Sequence, residues 1–315
     1  MATIDPPAGA SRQTPSMSSS DWALLVLLSM LWGGSYLFNA LALRELPVFT
    51  VVAFRVLVGG LALHLALRVM RIPFPLDRAS LKAYFGMAIL NCALPFCLIV
   101  FGQTRVPSGL ASILNATTPI FTMVLAHLFL ASERLDPRRA AGVMIGFAGV
   151  VVLFWDRLGA GAGELIGLLA CLGASLSYGF SNIFGRKVIV PGAHPLAMAA
   201  GQQTFAFLPL MPLALMVDAP FSGPAPSLTA IGAIVGLGLL STAVAYSLFY
   251  RILARAGATN VSLVTLLIPC SAILFGTLFL GERLEEEAFL GLAIIAAGLL
   301  VIDGRLIGLF RRRRD

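Results

Sequence analysis

LFLASERL occupies residues 128–135, and LFLGERL occupies residues 278–284. Each closes an apolar run on a Glu-Arg pair, and each follows a proline, Pro119 in one case and Pro269 in the other. The continuation differs: DPRR at 136–139 against EEEA at 285–288. Around the phrase the agreement continues in order. A shift of 150 positions places Asn91 on Ser241, Arg105 on Arg255, Ser112 on Ser262, and Pro119 on Pro269. One residue is then lost, and a shift of 149 places Glu133-Arg134-Leu135 on Glu282-Arg283-Leu284, Gly142 on Gly291, and Gly149 on Gly298. Upstream, Ser35-Tyr36-x-Phe38 falls on Ser177-Tyr178-x-Phe180 at a shift of 142. Chance among apolar segments accounts for isolated Leu and Gly matches, but not for this phrase placed twice after a proline. The chain is two copies of one unit.

Composition names the solvent of that unit. Of 315 residues, 58% are hydrophobic and 12% charged, against about 25% charged in a soluble chain. So little polar surface cannot cover a water-soluble core. Lipid is the alternative, and it asks for apolar runs of about 20 residues to cross a roughly 30 Å hydrocarbon layer. Ten such runs stand at about 22–42, 48–69, 81–101, 106–131, 139–155, 163–185, 195–217, 228–250, 258–280 and 288–308. Residues 1–20, rich in Pro, Ser, Ala and Thr, read as a disordered tail. The organisation predicted is therefore a tail at 1–20, a first five-helix repeat at 21–157, a second at 158–310 and a basic tail at 311–315. The ALA at 40–42 resembles a signal-peptide cleavage site. The run before it is longer than a signal core and carries Ser35, Tyr36 and Asn39, which favours a retained helix.

Basic residues then set the orientation. With the N-terminus in the cytoplasm, Arg44, Arg105, Arg157 and Arg283 are the four that fall outside, and Arg55 lies within the second run. The other seventeen of the 22 Lys and Arg fall inside. Such an excess marks the cytoplasmic face, so both termini are predicted to be cytoplasmic. The net charge of +7 is spread singly and in pairs between apolar runs, a topology signal and not a nucleic-acid-binding face. Five helices per copy is an odd number, so the second copy enters the membrane upside down. The predicted fold is an all-α polytopic membrane protein, ten transmembrane helices as two inverted five-helix repeats. Inverted repeats of this kind point to secondary transporters, with the substrate site near the midplane between halves that rock to give alternating access.

Particular words carry a resemblance. WGGSYLFNALAL in the first run, the Phe54-Arg55 pair, the Pro119…Glu133-Arg134 block and AGVMIGFAGVVVLF at 141–154 resemble the EamA family of the drug/metabolite transporter superfamily. The second half carries the matching SYGF, Pro269…LGERL and AIIAAGLLVI, so the resemblance covers about residues 22–303. It implies ten helices, cytoplasmic termini in a bacterial inner membrane, and export of amino acids or related small metabolites. It is far less specific about which solute is carried.

Polar groups in hydrocarbon are costly and are functional candidates by default. Arg55 is the sharpest, about 12 Å into its helix at 1.5 Å per residue. It either attracts a substrate carboxylate or snorkels as a structural fixture. The other candidates for a substrate-lined interior are Trp32, Ser35, Tyr36, Asn39, Asn91, Asn115, Ser177, Tyr178, Asn182, Gln202, Gln203, Ser241, Tyr246 and Thr265. Amides and hydroxyls offer donors and acceptors to a small zwitterion, and Trp and Tyr offer a face to an apolar or aromatic side chain. The plainer role for any one of them is interhelical hydrogen bonding, worth about 0.6 kcal/mol on average. Pro119 and Pro269 stand near the middle of the fourth and ninth runs, as kinks that serve either gating or static shape. Trp22 and Trp155 are interface anchors, and Gly142-x₃-Gly146 and Gly163-x₃-Gly167 are close-packing stripes, within the chain or at a dimer contact.

Acidic residues are confined to loops, tails and helix ends, with Glu164 and Asp303 nearest the membrane. Proton-coupled carriers commonly use buried carboxylates, so facilitated efflux is favoured over carboxylate-mediated proton antiport. His64 and His127 are the titratable alternatives. Export of other solutes or drugs, purines or sugars, by proton antiport is the second reading. An intramembrane enzyme is the rival class, but no H-E-x-x-H, G-x-S-x-G or mid-helix Asp pair is present. Cys92, Cys97, Cys171 and Cys270 lie in apolar runs without metal-like spacing, so neither metal nor cofactor is expected. The expected partners are a small-molecule substrate and the lipid bilayer, with the chain a monomer or homodimer.

Overall fold

A computed structural model of the chain describes residues 17–130, 135–157, 161–188, 190 and 192–303. Residues 1–16 of the tail expected at 1–20, the tail at 311–315 and the Glu133-Arg134 pair lie outside the described residues, while Ser19 and Ser20 of that expected tail are already helical. Among the described residues ten helical segments follow one another: α1 Ser19–Ala42, α2 Val48–Val69, α3 Arg78–Gln103, α4 Ser108–Phe129 and α5 Pro137–Arg157 form the first half. The second half is α6 Ala162–Lys187, α7 Pro195–Asp218, α8 Leu228–Ala256, α9 (Ala258–Val261 continued by Val264–Leu280) and α10 Glu286–Asp303. No strand occurs among the described residues. Eight of the ten are long and apolar enough to span a membrane. Val264–Leu280 is a shorter apolar helix, and α10 carries acids at both ends.

Local chemistry sets the boundaries. α1 begins at Ser19, earlier than the apolar run, because Ser18 and Asp21 form a reciprocal capping box that satisfies two orphan N–H groups. Asp77 caps α3 by accepting from the Ala79 and Ser80 N–H groups. Large apolar side chains cover the outside, among them Leu61, Leu65, Met144, Val151 and Leu228. That surface suits lipid.

The halves are interleaved, not side by side. α2 packs on α7 and α5 on α10; α1 packs on α8 and α9, as α6 packs on α3 and α4. Exchange the halves and this scheme maps onto itself. The ends obey the same rule: the Arg255 guanidinium lies 3.2 Å from Asp21 in the first turn of α1. Its repeat mate Arg105 lies against the first turns of α6, where a Cβ on Gly167 would come within 2.8 Å of the Arg105 Cβ.

The glycine stripes are spent inside this scheme. A Cβ on Gly298 would sit 2.6 Å from the Gly146 nitrogen, and one on Gly149 would sit 2.8 Å from the Gly291 oxygen. The α5 and α10 backbones therefore touch, as small residues permit between membrane helices. Gly142-x₃-Gly146 and Gly167 are covered by the chain's own helices, which leaves them no part in a dimer contact.

The helices are also broken in register with the repeat. α3 opens into a π-turn at Ala88–Ala93 and α8 into one at Leu239–Val244, almost one repeat shift apart. In α3 the cause is Pro95, which has no N–H and whose ring clashes with the carbonyl four residues earlier, that of Asn91. The proline pair expected to kink α4 and α9 behaves unequally. α4 is interrupted at 116–117, so Pro119 sits in the first turn of its second segment, where a missing N–H costs little. Pro269 lies inside a continuous segment, and the α9 interruption comes earlier, at 262–263. Hydroxyls satisfy the carbonyls freed in α4: Thr118 donates to the Asn115 oxygen at 2.8 Å, and Ser175 of α6 donates to the Leu114 oxygen at 2.9 Å.

Candidate functional site

The π-turn of α3 brings a polar residue into the middle of the bundle. The Asn91 amide donates to Gln202 Oε1 of α7 at 3.1 Å and to the Tyr246 hydroxyl of α8 at 3.0 Å. Its own oxygen accepts from the Ser181 hydroxyl of α6 at 3.1 Å. One side chain thus ties four helices, one from the first half and three from the second. Ser177 of α6 donates to the Leu90 carbonyl at 2.8 Å, inside the same π-turn. At the matching π-turn of α8, Ser241 donates to the Leu31 carbonyl of α1 at 2.7 Å. Both π-turns are therefore stitched to a helix of the opposite half.

Arg55 lies beside this network and is 6% exposed. Its guanidinium carbon stands 3.8 Å over the centroid of the Phe96 ring, a cation–π contact. Its Nε reaches the Thr242 hydroxyl at 3.4 Å, and that hydroxyl donates to the Leu237 carbonyl at 2.9 Å. Tyr178, Tyr246, Cys92 and Tyr36 complete its surroundings within electrostatic reach. Gln203, fully buried, donates from Nε2 to Cys92 at 3.4 Å, and its Oε1 has no donor. An aromatic wall closes one side: Trp32 of α1 meets Tyr246 edge-on at 6.5 Å and Phe249 at 5.5 Å, and Tyr246 stacks on Tyr250 at 6.2 Å.

Not every predicted residue joins this group. Asn39 donates at 2.8 Å to Gln103, which in turn reaches the Tyr36 carbonyl and Ser108, so Asn39 belongs to a second cluster nearer the end where α1 finishes. Asn115 lies with Tyr36 and Ser175 at the α4 interruption. Asn182 is exposed and donates to Thr122 at 3.0 Å. Ser35 and Thr265 turn their hydroxyls back on their own helices, to the Trp32 and Ser262 carbonyls. Both candidate histidines are engaged, His64 with Thr204 at 2.8 Å and His127 with the Leu135 N–H at 3.2 Å.

Phe96, Thr242, Ser181 and Gln103 went unread in the sequence. Pro95 was the available signal for the α3 π-turn. Nothing in the run of residues announced the α8 one.

At the end where α1 finishes, three carboxylates cap helices across the halves. Asp218 of α7 accepts from the Thr50 N–H and hydroxyl at 2.7 and 2.9 Å, at the start of α2. Glu282 accepts from the Ser108 and Gly109 N–H groups at 2.9 and 3.3 Å, at the start of α4. Glu45 accepts from the Ser227 N–H at 2.7 Å and from its hydroxyl at 2.5 Å, ahead of α8. Negative charge at a helix N-terminus is favourable, and the Ser227 hydroxyl and N–H hold the Glu45 carboxyl below its usual range. By contrast, the surface groove between α5 and α6 is lined only by apolar side chains such as Val150, Phe154, Trp155 and Leu172. It offers a solute no polar contact.

Ten helices in two inverted, interleaved halves, with a buried polar network at their junction, define a two-repeat polytopic membrane protein. The model of the EamA-like transporter family matches it twice, over residues 21–155 and 165–303, and the chain belongs to that family of membrane transporters. It is 28% identical over 295 residues to a probable amino-acid metabolite efflux pump of Escherichia coli, covering 90% of this chain and 95% of that protein. It is 25% identical over 280 residues to the uncharacterized transporter YoaV of Bacillus subtilis, covering 88% and 94%. It is 27% identical over 284 residues to the uncharacterized inner membrane transporter YedA of Escherichia coli, covering 88% and 89%. A solved crystal structure, 19% identical, shares the fold at a TM-score of 0.59 over 91% of this chain and 98% of its own.

Proposed function

We propose that the chain exports amino acids, with aromatic or apolar side chains preferred, or related small metabolites, across the bacterial inner membrane by alternating access. The observation that carries this reading is the Asn91 node, where one amide bridges α3, α6, α7 and α8 beside the Trp32–Tyr246–Phe249 wall. Rocking one half against the other has to break bonds at this node, so solute binding and opening share the same groups. The efflux-pump relative supports the direction and solute class. The end bearing Glu45, Asp218 and Glu282 is the outer one in the orientation set by basic residues, and its three capped helices describe an outer closure. Without a carboxylate in the helix interiors, the substrate gradient drives transport.

The test is counterflow in proteoliposomes. Vesicles preloaded with unlabelled phenylalanine should take up labelled phenylalanine transiently and saturably, without a pH gradient. Uptake that appears only when the outside is made acidic would replace facilitated exchange by proton antiport. Exchange of purines or sugars, and of no amino acid, would move the substrate class.

A further inference from the structure

We infer that Arg55 is the carboxylate-binding residue of this transporter and that the solute it carries bears a carboxylate. The inference rests on the export reading above for its context, but its evidence is local. Arg55 is 94% withdrawn from solvent at 6% exposure, in the interior of α2. A buried cation is costly in hydrocarbon, and such groups ordinarily face an interior anion or water-filled space. Among the described residues Arg55 makes no ion pair, unlike Arg255 with Asp21 and Arg139 with Asp136.

Its fixtures hold the side chain without neutralising it. Phe96 lies under the guanidinium face, and Thr242 takes the Nε edge. The outer fork of two Nη groups therefore remains, the edge whose geometry matches the two oxygens of a carboxylate. The hydroxyl of Tyr246, which accepts from Asn91 and also lies against the Cys92 thiol, stands within electrostatic reach of the same guanidinium. Gln203 Oε1 supplies the opposite need. It is buried without a donor, and Gln203 shares Cys92 as a neighbour with Arg55. A solute with a carboxylate and a nearby N–H group satisfies both, and the aromatic wall receives its side chain.

The arrangement also explains why the site uses arginine and not lysine. A planar cation can stack on Phe96 and still present a two-point edge, whereas an ammonium offers a point charge.

Isothermal titration of the detergent-purified full chain tests this without requiring transport. Phenylacetate and its uncharged isostere phenylacetamide are the probes. The wild type should bind phenylacetate at least tenfold more tightly than phenylacetamide. Arg55→Gln should lose that preference, and Arg55→Lys should keep only part of it. Phe96→Leu, which leaves the charge but removes its platform, should weaken phenylacetate binding and leave phenylacetamide unchanged. Equal binding of the two probes by the wild type overturns the inference, even if no variant folds. So does Arg55→Gln retaining the preference. A wild type that binds phenylacetate through Arg55 yet shows no counterflow keeps this site and loses the export reading; amino-acid exchange unaltered by Arg55→Gln does the reverse.

Discussion

At the scale of the residue, the Asn91 side chain is bonded to three other helices, α6, α7 and α8. Its removal would orphan Gln202 Oε1 and take one partner each from the Ser181 and Tyr246 hydroxyls, which keep the Tyr178 carbonyl and the Cys92 thiol. Each buried polar group left without a partner costs about 1–3 kcal/mol in soluble proteins. Membrane interiors give smaller values, about 0.6 kcal/mol for an average interhelical bond, because the separated helices find other partners. Asn91→Ala should therefore lower stability in detergent by only about 1–2 kcal/mol, while transport falls at least tenfold. Asn182→Ala, at an exposed position bonded only across to Thr122, should change neither. Thermal melts and counterflow rates on the same preparations check both. An Asn91→Ala protein with full transport would reduce the node to packing. Asn91 was legible in the sequence as a polar residue in an apolar run. Its four-helix reach was not, since that depends on three partners more than 100 positions away or nearly so.

At the scale of the element, the interesting parts are helix ends and helix faults. Glu45 bridges the α1–α2 loop to the start of α8, and its carboxyl is held below the ordinary glutamate value of 4.5 by the Ser227 hydroxyl and N–H. A folded-state value below the unfolded one means stabilisation that is present above about pH 4.5 and lost as pH falls through the folded value. At neutral pH the bridge is thus fully formed. Wild-type melting temperature should fall more steeply than that of Glu45→Gln as pH drops from 5 toward 3.5, and the two curves should run parallel above pH 6. Identical slopes throughout would remove Glu45 as a tie between the halves. The repeated phrase itself belongs at this scale. Its second copy places Glu282 on the N–H groups that open α4, so a charge that looked like a helix terminator is a cap for a helix of the other half. Caps of this kind join residues 173 or 174 apart in the chain, and no local pattern encodes such a distance.

At the scale of the whole molecule, the two halves exchange partners so completely that neither five-helix unit has an interior of its own. α1 finds its neighbours in α8 and α9, and α6 finds its neighbours in α3 and α4. DPRR follows one phrase and EEEA follows the other, the contrast expected if the two copies end on opposite faces of the membrane. The orientation makes a direct prediction. A reporter active only in the cytoplasm should work when fused to either terminus, and cysteines placed in the loop holding Gly223 should react with a membrane-impermeant maleimide added outside. Labelling of that loop only in inside-out vesicles would invert the topology and move the Glu45, Asp218 and Glu282 closure to the cytoplasmic face.

By itself the sequence determined the solvent, the ten segments, the duplication and its inversion. Each of these is written in averages or repeats: apolar length, charge counts between runs, and one phrase copied at a fixed shift. The tertiary structure alone decided which polar residues meet. Helices that are apolar all round carry no stripe to say which face turns inward, and two π-turns rotate the residues beyond them off the regular helical register. That is why Asn91, Gln202 and Tyr246 converge while Asn39, Asn182 and Thr265, equally polar on the page, serve other contacts.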